Sequence, residues 1–295
     1  MQTSEPAKIL FVINPKSGTK SGIDWESEAR QYFKELPHII EFVLMGDKND
    51  AGSLKYWIET FKPDKVVAVG GDGTVSLVAE QLLRTPIAMG ILPAGSANGM
   101  ATEMQIPSSV KGAMDVLING NVKCADVVLI DDKHICIHLS DLGLNAQLVK
   151  YFQAGNLRGK LGYARLVLRV LLRKRRMHLT IKTDKEEIAA HAYMVVLANA
   201  SKYGTGALIN PEGDLHDGFF EIVIVRRVAF FSVLKMFLQF KKFNSKKVEV
   251  FKAKTVDITV TSKAHFQIDG EYIGKVRKVS AKILESQLNL LLPNI

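Results

Sequence analysis

The hydrophobic positions of this chain fall into two textures. In the first part they come as unbroken runs: KILFVINP (8–15), IIEFVLM (39–45), KVVAVGG (65–71) and IAMGILP (87–93). Between the runs they recur at helical spacing over 27–36, 51–60, 75–83 and 110–118. Continuous apolar strands alternating with helices predict a parallel sheet covered on both faces, a Rossmann-like α/β domain. After Gly120 the pattern changes. HLTIKT, HAYMVVLANA, GFFEIVIVRR, KVEVFKA, TVDITVT and AHFQIDG are short, β-rich and separated by turns, and they predict an antiparallel β-sandwich. Two helical stretches interrupt them, over 161–174 and 229–240. The boundary falls near residue 125, giving domains 1–125 and 126–283. The closing segment 284–295, with its strand-like LNLLLP (288–293), is able to return to the first domain.

Composition narrows the picture. A chain of 295 residues, 47% of them hydrophobic, suffices for two cores, since single cores stop growing near roughly 250–300 residues. The 39 Lys and Arg against 30 Asp and Glu give a formal charge of +9. That balance favours anionic partners: nucleotides, nucleic acid or acidic lipid headgroups. No stacking platform or groove-reading module is visible, so nucleic acid is not expected. Cys124 and Cys136 are the only cysteines; they make no disulfide framework and suit a reducing, cytoplasmic compartment. The apolar run Ile9–Ile13 is too short for a signal sequence, and the run 166–172 is broken by Arg169. Nothing approaches the roughly 20 residues needed to span a bilayer, so membrane contact is expected to be peripheral. Nothing in the pattern sets an oligomeric state.

Candidate chemistry begins where the third strand ends, at Gly70, Gly71, Asp72, Gly73 and Thr74. A glycine-rich strand end passing directly into a helix presents main-chain N–H groups at a helix N-terminus, where phosphate is attracted. Glycine lets the backbone approach a ligand closely, and Thr74 can cap the helix or bond a phosphate oxygen. Asp72 would repel phosphate unless a cation intervenes, so it suits a metal contact or a base; equally, it suits a plain helix cap. NPKSG (14–18) ends the first strand and PAGSANGMA (93–101) ends the fourth. In an open α/β sheet such loops converge at the carboxyl ends of the strands. Neither the Walker pattern GxxxxGK[ST] nor the dinucleotide fingerprint GxGxxG is present.

NPKSG, GGDGTV and LPAGSANGMA, in this order, resemble the catalytic domain shared by diacylglycerol kinases, sphingosine kinases and bacterial lipid kinases. PEGDLHDGFFEIVIV (211–225) and FQIDGEY (266–272) extend the resemblance over most of the chain. PAGS is closer to the sphingosine- and ceramide-kinase style than to the PLGT common in bacterial diacylglycerol kinases. The resemblance implies a nucleotide domain and a β-rich lipid domain with the active site in the cleft between them. It implies transfer of the γ-phosphoryl group of ATP to a hydroxyl of a diacylglycerol-like or sphingoid-like lipid. ATP would be bound by Asn14, by Gly70, Gly71, Asp72, Gly73, Thr74, Val75 and Ser76, and by Gly95, Ser96 and Asn98. Glu271 would be the general base and Asp269 its partner, with Asp72 holding Mg²⁺ or water toward Glu271, or serving as the base itself. On a strand, Asp269 and Glu271 would share a face, unless a turn at Gly270 redirects one of them; without the resemblance, DGEY reads as a hairpin turn with solvated acids. A structural Mg²⁺ would be held by the side chain of Asp217 with the main-chain carbonyls of Asp214 and Phe219, where the residues alone read as an Asp-Gly turn. The chain departs from the family at Ser96, usually Thr, at Gly99, often Asp, and at Met45, where many members carry Thr. Two rival readings are an NAD-kinase-type enzyme and a non-catalytic lipid-binding protein of the same fold.

The lipid side is sought in YARLVLRVLLRKRRMHLTIK (163–182) and RRVAFFSVLKMFLQFKKFNSKK (226–247), which mix basic with aliphatic or aromatic residues. Such segments either lie on an anionic membrane surface or pack on their own domain with the basic residues solvated.

Overall fold

The structure is a computed structural model, describing residues 5–17, 22–46, 50–154, 170, 175–201, 209–211, 213–227 and 248–294. Of the two basic segments, residues 163–169, 171–174 and 228–247 lie outside these residues, while residues 177–182 of the first belong to a strand. Of their ends, Arg176 lies over the Tyr193 ring at 5.5 Å, and Arg226 pairs with Glu249 through Nε at 2.7 Å and Nη2 at 2.9 Å. No helix among the described residues is long and apolar enough to cross a membrane. The chain divides into two compact units, Met1–Ala125 with Ser286–Ile295, and Asp126–Glu285.

The first unit is the parallel α/β layer. Strands β1 (Lys8–Ile13), β2 (Ile39–Leu44), β3 (Lys65–Gly70) and β4 (Ala88–Pro93) alternate with helices α1 (Trp25–Phe33), α2 (Asp50–Phe61) and α3 (Asp72–Leu82). The short α4 (Gly99–Glu103) and α5 (Val110–Asn119) follow. The strands run in the order β4-β3-β1-β2, all parallel. β1, β3 and β4 are buried along nearly their whole length, which is why their sequences are unbroken apolar runs. β2 is the edge strand and leaves Ile39 and Leu44 exposed. Phe11 anchors the layer, stacking on Phe42 at 5.2 Å and meeting Phe33 of α1 edge-on at 5.7 Å. Local signals set the helix starts: Asp24 Oδ1 accepts from the amide of Ser27, and Ser109 Oγ accepts from that of Gly112.

The second unit is antiparallel. Strand β5 (Asn121–Ile130) enters it and makes a hairpin with β6 (His134–Cys136) through Asp131 and Asp132, both at φ 51°. Then come β7 (Leu139–Gly143), α6 (Leu144–Ala154), β8 (Met177–Thr183), β9 (Glu187–Ala192), β10 (Met194–Ala198), β11 (Phe220–Val225), β12 (Val248–Ala253), β13 (Thr255–Ile268) and β14 (Glu271–Leu292). Its main order is β12-β11-β10-β7-β13-β14, with β8 and β9 added beside β13. Successive residues of β10 and β11 enter different cores. Val195, Leu197, Phe220, Ile222 and Ile224 join the larger one with β8, β9, β13 and β14. Val196, Ala198, Val223 and Val225 join Leu144 and Leu148 of α6. These two strands are thus covered on both faces and read as continuous apolar runs, whereas TVDITV of β13 alternates because only one face is covered. α4 and α6 are additions to the helices expected, and the separate strands expected at 255–261 and 264–270 form one long β13 with a register shift between Thr259 and Ala264.

The chain end completes the first sheet. Asn289 and Leu290 pair in parallel with Ala88 and Met89 of β4. Leu288, Leu290 and Leu291 are buried, Gln287 O accepts from the amide of Arg84 at 2.9 Å, and Asn289 Nδ2 donates to Thr85 O at 3.1 Å. Leu290→Ala is expected to cost about 2–5 kcal/mol in urea unfolding. Removal of residues 286–295 uncovers three leucines worth about 1.5–3 kcal/mol each and is expected to abolish cooperative unfolding of the first unit, read by amide-exchange protection of β3 and β4. Retained protection there would refute the packing assigned to this segment.

Candidate functional site

Because β1, β3 and β4 are parallel neighbours, the loops that leave them begin at one edge of the first unit. Asn14 N donates to Val69 O at 3.1 Å, and Asn14 Nδ2 reaches Thr74 Oγ1 at 3.4 Å. A Cβ on Gly70 would lie 2.2 Å from Thr74 Oγ1, and one on Gly95 would lie 2.4 Å from Gly71 Cα. The two glycine loops therefore touch backbone to backbone; the contact accounts for Gly95, and a Cβ on Gly71 would be tight at 3.3 Å from Gly95 Cα. Asn98, at φ 53°, closes the second loop: its Oδ1 accepts from Gly95 N at 2.8 Å and its Nδ2 donates to Gly95 O at 3.0 Å. Asp72 Oδ1 accepts from Met100 N at 3.0 Å. Its carboxylate thus braces the start of α4 instead of capping α3, whose N-cap, Gly71, makes no side-chain cap bond. Thr74 and Val75 are buried beneath the loop, Ser76 and Asn98 are half-buried, and Gly73 and Ser96 are exposed at the surface. Asn14, Gly70–Ser76, Gly95, Ser96 and Asn98 are in this way brought to one place; Gly18 lies outside the described residues.

The acidic candidates of the second unit occupy two turns. The first is the tip of the β13–β14 hairpin, where Ile268 pairs with Glu271 across Asp269 at φ 46° and Gly270 at φ 86°. Left-handed conformations at both central residues are what a two-residue hairpin of the Asp-Gly kind requires. The turn redirects one carboxylate. Asp269 points inward and accepts from the amides of Ile137 at 2.9 Å and of His138 and Leu139 at 3.0 Å each, with Cys136 Sγ at 3.3 Å. Burial pushes the Asp269 carboxyl upward and the backbone donors pull the other way; burial likewise pushes the Cys136 thiol well up. Glu271 points outward and is exposed, its Oε2 accepting from Gln153 Nε2 of α6 at 3.1 Å. A buried relay pins the same tip: Gly270 N donates to Gln267 Oε1 at 2.7 Å, Gln267 Nε2 to Asp141 Oδ2 at 2.6 Å, and Ala146 N to Asp141 Oδ1 at 2.8 Å. Gln153, Gln267 and Asp141 were not legible as site residues, because 118 and 126 residues separate the partners.

Residues 8–130 match the family model of the diacylglycerol kinase catalytic domain, and residues 140–292 match that of the YegS C-terminal NAD kinase beta sandwich-like domain. The chain belongs to this family of lipid kinases. It is 26% identical over 96% of its length, and 95% of the relative's, to a Pectobacterium atrosepticum protein named "Probable lipid kinase YegS-like". It is 29% identical to a diacylglycerol kinase of Mycobacterium tuberculosis, over 80% of this chain and 79% of the other. The fold is that of a diacylglycerol kinase from Bacillus anthracis, with TM-score 0.73 and 17% identity over 97% and 96% of the two chains. An NAD kinase from Archaeoglobus fulgidus shares it more distantly, with TM-score 0.57 and 11% identity over 96% and 93%.

The second acidic turn of this lipid kinase is the one expected to hold a structural Mg²⁺. Asp214 Oδ1 accepts from His216 N, and Asp217 Oδ1 accepts from Phe219 N, both at 3.0 Å. Asp217 Oδ2 lies 2.8 Å from Lys252 Nζ, which is also 3.6 Å from Oε1 of the buried Glu221. Leu215 O accepts from Asp126 N, and Asp126 Oδ2 accepts from Gly218 N, both at 2.7 Å. Both Asp217 oxygens are engaged by donors, whereas Mg²⁺ asks for free oxygens in an octahedral set. As folded, the turn does not fit the ion, because Asp217, the one side-chain ligand of the expected set, is already taken by Phe219 N and the Lys252 ammonium.

Gly95→Ala is expected to lose about 1–3 kcal/mol in urea unfolding, because backbone meets backbone and neither loop can yield cheaply; an unchanged midpoint would contradict the contact. A second expectation concerns His265, which faces Tyr272 OH at 2.8 Å, Lys150 and Lys275. Burial, then the two lysines, lower its pKa from 6.5 to about 4. The unfolded chain takes up this proton first, so the contribution of neutral His265 is complete above pH 6.5 and is lost as pH falls toward about 4. His265→Asn is expected to flatten the stability profile in that window, measured by urea unfolding at successive pH values; an unchanged profile would reject the assignment.

Proposed function

We propose that this kinase transfers the γ-phosphoryl group of ATP, supplied as its Mg²⁺ complex, to a hydroxyl of a lipid of the diacylglycerol or sphingoid type. The observation that carries the reading is the contact of the two glycine loops at Gly71 and Gly95, beside the N-terminus of α3. Main-chain amides and the helix dipole there favour an anion, and glycine removes the side chains that would keep a triphosphate away. Asn14, Ser96 and Asn98 surround it with neutral hydrogen-bonding groups. Asp72, tied to Met100 N at 3.0 Å, is the acid nearest this cradle in sequence and takes the role of holding the donor's metal ion.

Glu271 is assigned as the general base. As the lipid hydroxyl oxygen bonds to phosphorus and the bridge between the β- and γ-phosphoryl groups breaks, the hydroxyl proton passes to its carboxylate. Gln153 orients that carboxylate. Asp269 is a positioning residue: with both its oxygens committed to residues 136–139, it fixes the hairpin tip and takes no proton from substrate. Lipid substrates lie at a membrane surface, and the net charge of +9 suits peripheral contact with anionic lipid.

The test is incubation with labelled ATP and Mg²⁺ against a panel of diacylglycerols, sphingoid bases, ceramide and NAD. Label is expected in a lipid and not in NAD; label in NAD alone would overturn the proposal. Glu271→Ala and Asp72→Ala are each expected to lower kcat by at least about 100-fold, the lower range for a lost acid–base group, with unfolding midpoints near that of the parent. Near-normal turnover in both variants would defeat the role assignment.

A further inference from the structure

The misfit at the Asp214–Phe219 turn has a positive content. We infer that the ammonium group of Lys252 is the resident cation of this turn and that a divalent ion is not needed to hold it. Lys252, on β12, places Nζ 2.8 Å from Asp217 Oδ2 and 3.6 Å from Glu221 Oε1. Glu221, on β11, is 1% exposed, and its second oxygen accepts from Asn210 Nδ2. β11 and β12 are antiparallel neighbours in which Glu221 pairs directly with Lys252, so the ammonium is fixed by sheet register. Two carboxylates on one short stretch, one of them buried, would repel each other without a positive charge between them. Lys252 supplies that charge from within the chain.

The rest of the turn is likewise held by groups of the chain itself. Asp126, itself buried, accepts from Gly218 N and donates its own amide to Leu215 O, so the loop is tied on its other side by two bonds of 2.7 Å. Asp217 and Asp214 accept from amides within the turn. Lys254 and Lys185 lie over the Phe219 ring at 5.2 and 5.4 Å, and Lys254 also pairs with Glu285 at 2.6 Å. Positive groups thus already surround the turn, and an incoming divalent ion would meet repulsion as well as competition for Asp217. The consequence is that a Mg²⁺ requirement of this enzyme arises from the donor nucleotide and not from the second unit. This inference does not rest on the kinase reading, and its readouts involve no turnover.

The test uses the full chain without nucleotide. Thermal unfolding of the parent is expected to be the same in 1 mM EDTA and in 10 mM MgCl₂. Mn²⁺, counted as bound ion by its electron paramagnetic resonance signal, should not associate with the parent but should associate with Lys252→Met, which exposes the two carboxylates. Lys252→Met is expected to lower Tm by roughly 5 °C, the size of a partly exposed ion pair lost beside a buried carboxylate in a domain of this length, and to recover part of it in Mg²⁺. Lys252→Arg keeps the charge and should retain the parental Tm and its indifference to EDTA, which covers the case in which Lys252→Met does not fold. A parental Tm that falls in EDTA, parental binding of one Mn²⁺ that is lost in Asp217→Asn, or a Lys252→Met variant that neither loses stability nor gains an ion would each overturn the inference.

Discussion

The hairpin tip that carries Glu271 depends on a single buried carboxylate. Asp269 sits in a left-handed turn position and gathers the amides of Ile137, His138 and Leu139 together with the Cys136 thiol. Three bonds from backbone N–H groups offset part of the cost of burying the carboxylate, and they tie the end of β13 to the segment between β6 and β7. Without the carboxylate those amides would be left unpaired inside the protein, each at a cost of about 1–3 kcal/mol. The same interaction that stabilises the second unit therefore fixes where Glu271 emerges. Gln153 and the Asp141–Gln267 relay add restraints from the two ends of α6, so the tip is held from several directions at once.

The first unit solves a different problem with the opposite material. Its candidate phosphate cradle is built from atoms that are missing. Gly71 and Gly95 approach until no Cβ fits on Gly95, and Asn98 closes its own loop onto both polar atoms of Gly95. Main-chain donors on such a surface need no side-chain ordering when a ligand arrives. In the proposed reading the first unit supplies backbone dipoles and the second supplies carboxylates.

How much of this was legible beforehand follows from the range of each interaction. The four strands of the parallel layer were readable because burial on both faces writes a continuous apolar run, and GGDGT and PAGSAN were readable because a loop motif is local. The antiparallel character of the second unit was readable too, although β10 and β11 resemble parallel strands for the same reason of double burial. The continuity of β13 was hidden by the register shift between Thr259 and Ala264 and by the polar residues of its open face. Asp269 was legible as important but not for its reason: its partners stand 130 to 133 residues away, and nothing in the residues around 137 announces a carboxylate-binding backbone. Lys252 was invisible for the same cause. It lies 35 residues beyond Asp217, in a strand that reads only as alternating, and strand register alone brings it to the turn.

The path of β14 has a consequence for synthesis. Its early residues belong to the second unit, and those from Ser286 onward lie in the first, beside β4. A ribosome that has just released α5 has therefore not yet made the strand that covers that edge of the first sheet. At about 5–20 residues per second, residues 126–285 occupy on the order of 10–30 s. Throughout that interval β4 waits with an open edge, and the half of the enzyme that is translated first is among the last parts to be finished.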